Sequence, residues 1–125
     1  MNIDKGLLYT KEHEWIKIDE QYAYVGISNH AQSELGDIIF VELPSVGETF
    51  KTEDVFGTIE AVKTVADLFM PISGEIVEIN ETILDDPAIV NNDAEGEGWF
   101  LKIKISKPEE YDDLLTKEDY ISLVS

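Results

Sequence analysis

Lys63 is the only basic residue between Thr52 and Leu101, in a stretch that carries twelve carboxylates. Glu60 lies three residues before it and Asp67 four residues after it. A primary amine isolated in this way is either an ordinary solvated turn residue or a handle for chemistry. Turn tips are polar, and their lysines as a rule are simply hydrated. Three features set this one apart. It is the lone cation in an acidic half of the chain. Its neighbours Val62, Thr64 and Val65 are β-branched, so no Asn-Gly or Asp-Gly pair accounts for a turn there. Gly47-Glu48 and Gly74-Glu75 bracket it at sixteen and eleven residues. An exposed hairpin tip suits enzymatic acylation, because the attaching enzyme must reach the ε-amine and read both flanks. A lysine amine is protonated in neutral water. The enzyme must therefore remove a proton before the nitrogen attacks an activated acyl carbon. Glu60, Val62 and Asp67 are the candidate recognition flanks, the two carboxylates marking register by their unequal distances.

The rest of the composition narrows the chemistry. There is no cysteine among the 125 residues, hence no disulfide, thiolate nucleophile or Cys-based metal site. Any redox role needs sulfur or electrons from an attached cofactor. Net charge is −18, and all nine basic residues are lysine. Phosphate and base recognition favour the guanidinium fork, so neither nucleic acid nor an anionic membrane surface is an expected partner. The acidity serves solubility, or steers the chain toward partners with basic docking surfaces. The 27 carboxylates include no spacing that marks a general acid/base pair, and no Gly-rich phosphate loop precedes a helix. With only two histidines, His13 beside Glu14 and Trp15 reads as a packing residue, and no metal site is expected. The start, Met1 to Lys5, lacks the features of a secretory or organelle signal. A cytoplasmic protein is expected.

One domain with one real core suits this length. Residues 9–18 read as a strand with a polar beginning, and Tyr22–Ile27 as a second, joined by a turn at Asp19-Glu20-Gln21. Ser28 or Asn29 can cap a short helix through Leu35, with Gly36 as its left-handed stop. Residues 37–43 form a third strand, ended by Pro44. Leu43-Pro44-Ser45-Val46-Gly47-Glu48 then resembles Met70-Pro71-Ile72-Ser73-Gly74-Glu75. The two copies suggest a sheet pair of approximate two-fold symmetry, each with a positive-φ glycine leaving its turn. Between them Val55–Val62 and Val65–Met70 form a hairpin with apolar residues on both sides of its alternation, as in a strand buried on both faces. Ile76–Ile79 and Trp99–Ile105 are later strands, with turn-rich loops between them. Ser106-Lys107-Pro108-Glu109 resembles a capping box. Tyr111, Leu114 and Leu115, then Tyr120, Leu123 and Val124, follow helical spacing, with Thr116 capping the second helix. Their apolar faces should cover one end of the sheet core.

These residues together resemble the H-protein family of the glycine cleavage system. The likeness runs through Tyr9-Thr10-Lys11-Glu12-His13-Glu14-Trp15, Val25-Gly26-Ile27, Ala31-Gln32 and Leu35-Gly36-Asp37. It continues through Val41-Glu42-Leu43-Pro44, Gly57-Thr58-Ile59-Glu60-Ala61-Val62-Lys63, Pro71-Ile72-Ser73-Gly74-Glu75 and Gly96-Glu97-Gly98-Trp99. Each motif alone is weak; their common order along nearly the whole chain is highly specific. Ala61 and Thr64 stand where the family usually has serine and alanine. Both changes are small.

The resemblance implies a mainly β fold, a biotinyl/lipoyl-type sandwich (barrel-sandwich hybrid) with a short internal helix and C-terminal helices. It implies a single lipoyl-carrier domain over 1–125, with a core at about 22–105 and a helical cap at about 107–124. It implies lipoic acid joined to Lys63, whose dithiolane supplies the missing redox sulfur. The lipoyl arm would accept an aminomethyl group from a PLP-dependent glycine decarboxylase and present it to a tetrahydrofolate-dependent aminomethyltransferase. Dihydrolipoyl dehydrogenase would then reoxidise it. The chain would be a non-catalytic carrier, a monomer, and a substrate of these enzymes and of a lipoate attachment enzyme. A cleft lined by Glu14, Ser28, His30 and Asp67 would shelter the loaded arm. Other readings are a biotin carrier, a 2-oxoacid dehydrogenase lipoyl domain, and a lipoyl relay that donates lipoate to other lipoyl domains. Biotin sites usually place methionines beside the lysine, and dehydrogenase domains usually read Asp-Lys-Ala; neither pattern is present.

Overall fold

A computed structural model describes residues 7–124 of the chain. The Met1–Lys5 start, read above for targeting signals, lies outside the described residues. Two antiparallel sheets face each other. The larger runs in the order β1 (Leu7–Tyr9), β2 (Glu14–Asp19), β3 (Tyr22–Ile27), β9 (Leu101–Ile105), β8 (Gly74–Ile79), β5 (Thr49–Phe50). The smaller is β4 (Ile38–Glu42), β6 (Val55–Ala61), β7 (Val65–Phe69), with β7 at its edge. Helix α1 (Asn29–Leu35) links β3 to β4. Short helices α2 (Glu81–Asp85) and α3 (Ala88–Asn92) precede β9, and a 3-10 turn (Pro108–Asp113) and α4 (Lys117–Val124) follow it. This is the expected mainly β sandwich.

The alternation of β2 builds two cores. Ile16 points inward and joins Val25, Ile76 and Ile103 against Val41, Ile59 and Leu68 of the small sheet. Ile16 is fully buried. Trp15 points the other way, into a second cluster with Leu7, Tyr9 and Tyr120. Gly26 lies across the ladder from Trp15, and a methyl group there would fall 2.6 Å from the indole Nε1. The ring therefore needs that glycine.

Several local expectations are corrected. The strand at 9–18 is broken at Thr10–His13, where the backbone turns and His13 takes a φ of 74°. The hairpin is not buried on both faces: Val55, Val62 and Val65 are exposed, and a register shift between Val55 and Gly57 moves Phe56, Ile59 and Ala61 onto the core side. The short strand that follows the first repeat copy pairs with the end of the second, Thr49 opposite Glu75 and Phe50 opposite Gly74. Their glycines differ, however. Gly47 has a φ of 98°, whereas Gly74 is an ordinary strand residue that lets the Lys104 carbonyl pass 2.7 Å from where a methyl would be. The stretch 80–92 holds two helices rather than loops alone. At Lys107 no side chain caps the 3-10 turn. The Glu110 carboxylate there reaches back to the Ser73 N–H and hydroxyl instead. Tyr111 and Leu114 pack on the main core as expected, but α4 covers the second cluster through Tyr120. Thr116 caps α4 as expected, accepting the Asp119 N–H at 3.1 Å.

Candidate functional site

Lys63 stands exposed at the tip of the β6–β7 hairpin. The last ladder pair is Glu60 opposite Val65, and the Ala61 N–H closes on the Thr64 carbonyl at 2.8 Å. The tip is braced from the side, because the Val62 N–H donates to the Asp37 carbonyl at 3.0 Å. Asp37 follows Gly36, whose φ of 80° ends α1. A methyl on Gly36 would lie 3.5 Å from Lys63 Cε, so the lysine stem passes close over this junction. The junction is itself pinned by Asn91 on α3. Its side chain accepts the Ile38 N–H and donates to the Gly36 carbonyl and to Gln32 Oε1.

A cleft of about 340 Å³ opens where the same hairpin passes β2 and α1. Its apolar floor is Ile27, Leu35, Ile59, Ala66 and Leu68. Its polar wall is Glu12, His13, Glu14, His30, Glu34 and Asp67. Ala66 is three residues from Lys63, about 10 Å along a strand. The Thr10–His13 turn aims the β2 side of this wall. Thr10 Oγ1 holds both the Glu14 N–H and the Glu14 carboxyl, and the other Glu14 oxygen accepts the Phe69 N–H at 3.3 Å on the edge of β7. Glu14 is 2% exposed. Burial pushes its carboxyl up to about 8, against relief from the Thr10 and Phe69 hydrogen bonds. Burial, and then the neighbouring His30, hold the His13 imidazolium below its usual range. The two histidine rings lie 5.2 Å apart, and His30 Nε2 is 3.6 Å from Glu34. An aliphatic arm ending in a cationic amine fits this combination of apolar floor and carboxylate wall.

Matches to known proteins follow the same lines. A sequence model described as "Glycine cleavage H-protein" matches residues 7–125. The chain belongs to that family. It is 50% identical to the glycine cleavage system H protein of Bacteroides thetaiotaomicron over 125 residues, covering 100% of this chain and 99% of the relative. It is 55% identical to that of Chlorobaculum tepidum over 126 residues, covering 99% and 98%. The crystal structure of the H protein from Mycobacterium marinum superposes with a TM-score of 0.86 at 37% identity, covering 96% of this chain and 97% of that one. Glycine cleavage H-proteins are the lipoyl carriers of the glycine cleavage system, and this chain has their lipoyl-type sandwich.

Within this family member the geometry brings Glu14, His30 and Asp67 to one cleft. Ser28 is not on its wall: it is fully buried, caps α1 through the Ala31 N–H and meets the Tyr120 hydroxyl. Glu60 and Val62 are exposed beside Lys63. Glu12, His13 and Glu34 join the cleft without having been proposed for it. Their nearness to Glu14 and His30 in sequence, one to four residues, was the available signal. Tyr120 and Asn91 had none, since each acts across more than fifty residues of chain.

Proposed function

We propose that Lys63 carries lipoate as an amide and that the chain serves as a single, non-catalytic lipoyl-carrier domain. The exposed Lys63 amine, held at the tip of the same hairpin whose flank walls the Glu14–Asp67 cleft, carries this reading. When bound, lipoate supplies a disulfide that opens to take up a one-carbon amine fragment and is later re-formed. The protein's own part is to present and to shelter. Glu60, Val62 and Asp67 offer an attachment enzyme an asymmetric pattern around the amine. The apolar floor covers the aliphatic arm and excludes water. Glu14 and Asp67 meet the cargo amine, and His30 closes the α1 side. The enzymes that load, unload and reoxidise the arm are then a PLP-dependent glycine decarboxylase, an aminomethyltransferase and a dihydrolipoyl dehydrogenase. The setting is the cytoplasm.

Lys63→Arg tests this reading, because it keeps the charge and forms no stable lipoyl amide. The variant should fold with its stability changed by no more than about 0.5 kcal/mol, as for exposed turn substitutions. Intact mass should show the lipoyl increment on the native protein and none on the variant. Glycine–bicarbonate exchange with the decarboxylase, without added lipoate, should vanish. Exchange that persists in the variant would refute the assignment.

A further inference from the structure

Tyr120 on α4 is 4% exposed, and its hydroxyl lies 2.7 Å from Ser28 Oγ and 2.7 Å from His13 Nδ1. Its ring stacks on Tyr9 with centroids 4.5 Å apart and an interplanar angle of 4°. The backbone fastens the same place, since Tyr9 and Leu115 exchange both of their N–H to carbonyl bonds. The C-terminal segment is thus tied to the turn that delivers Glu12, His13 and Glu14 to the cleft.

The direction of these hydrogen bonds follows from where each proton can go. Ser28 is fully buried, and its oxygen already accepts the Ala31 N–H. Its own hydroxyl proton needs an acceptor, and the Tyr120 oxygen is within reach. Were Tyr120 to donate to Ser28 instead, the Ser28 hydroxyl proton would be buried with no acceptor at hand, which costs the desolvation of that donor. Ser28 therefore donates to Tyr120, and Tyr120 donates to His13 Nδ1. A nitrogen that accepts is unprotonated, so the neutral His13 ring carries its proton on Nε2.

We propose that Tyr120 is a positioning residue of the cleft, passing a hydrogen bond from Ser28 to His13 so that His13 faces the cleft through Nε2–H and never through a basic lone pair. A neutral imidazole nitrogen is a stronger base than the ionised carboxylates of this wall, so turning one away from a hydrolysable aminomethyl fragment slows its loss. A free imidazole nitrogen on the cleft wall would activate any water that entered. The relay occupies the only lone pair of neutral His13 with the Tyr120 hydroxyl, on the side away from the cargo. What remains is a donor that suits the ring's acidic neighbours Glu12 and Glu34.

The consequence for cargo rests on the reading of the cleft given above; the tautomer does not. Imidazole nitrogen NMR of the unmodified protein reads the tautomer directly, and a His30→Gln variant assigns the two histidines. Wild-type His13 should show a protonated Nε2 and a bare Nδ1. Tyr120→Phe keeps the stack on Tyr9 but should give mixed tautomers. Loaded with the aminomethyl fragment, that variant should hydrolyse about tenfold faster than wild type, short of the roughly 10²–10⁴ of a fully committed general base. Its rate of lipoylation should not change. A wild-type His13 protonated on Nδ1 would overturn the relay even if the variant fails to fold. A Tyr120→Phe protein with mixed tautomers and an unchanged cargo lifetime would overturn its role in the cleft. Should loaded wild-type protein hydrolyse as fast as free aminomethyl-dihydrolipoamide, the cleft reading fails, and the nitrogen signals still decide the relay.

Discussion

The groups that meet the Glu14 carboxyl are a hydroxyl and a backbone N–H, neither of them charged. An acid with its proton-release point at about 8 in the folded chain and at the ordinary glutamate value when unfolded makes stability depend on pH. Between those values the folded state holds a proton that the unfolded state has lost, so stability falls as pH rises. The contribution is fully present below about 4.5 and gone above about 8, and its size is at most a few kcal/mol. Urea midpoints at pH 5 and pH 8 should therefore drop more for the wild type than for Glu14→Gln, which cannot ionise. Parallel profiles would remove Glu14 as the cause. On the reading proposed for the cleft, a cationic amine entering it would reverse the preference and draw out the carboxylate. The exposed hairpin tip at Lys63 was legible in the sequence. The burial of Glu14 was not, because a Glu beside polar Thr10–His13 reads as solvated until Phe69 arrives from 55 residues away.

Elements whose stability is local were legible, and those held by distant partners were not. The α1 cap at Ser28, the positive φ at Gly36 and the Thr116 cap all follow from rules that span four residues or fewer. Helices α2 and α3 have five residues each, too short to form alone, and each buries one side chain, Ile83 or Val90. No periodicity can emerge from one buried residue. The β6 bulge likewise hid which residues face the core, because it puts Phe56 and Ile59 three apart on the same side. Asn91 shows how much such contacts matter. One side chain ties α3 to both α1 and β4, and β4 in turn abuts the Lys63 turn through Asp37. Asn91→Asp replaces a donor facing the Gly36 carbonyl and Gln32 Oε1 with an acceptor. It should cost about 2–4 kcal/mol, more than an exposed Asn→Asp change, as read by denaturant unfolding. Exchange protection of the Val62 amide should fall with it. Loss within about 0.5 kcal/mol would mean that the pin is dispensable.

Over the whole molecule the net charge of −18 acts on two processes in opposite directions. Like charges repel within one compact chain, and this self-repulsion lowers stability. Screening by salt should relieve it, since the Debye length falls from about 10 Å at 0.1 M to about 3 Å at 1 M. The same field draws in partners with basic surfaces and speeds encounter, and salt removes that advantage. The proposed acylation of Lys63 would delete one of nine positive charges and make the chain more acidic still, so modified protein should feel both effects slightly more. Raising salt from about 50 mM to about 500 mM should therefore raise the thermal midpoint. The association rate with the glycine cleavage enzymes should fall by about tenfold or more, within the range of electrostatic steering. Thermal scans and stopped-flow mixing across one salt series separate the two. A midpoint that falls with salt would show that attractive pairs outweigh repulsion, and a flat association rate would show that docking rests on apolar contact. Exposed Val62 and Val65 flank Lys63 and offer such contact, so the salt slope measures how far charge rather than this patch sets the encounter.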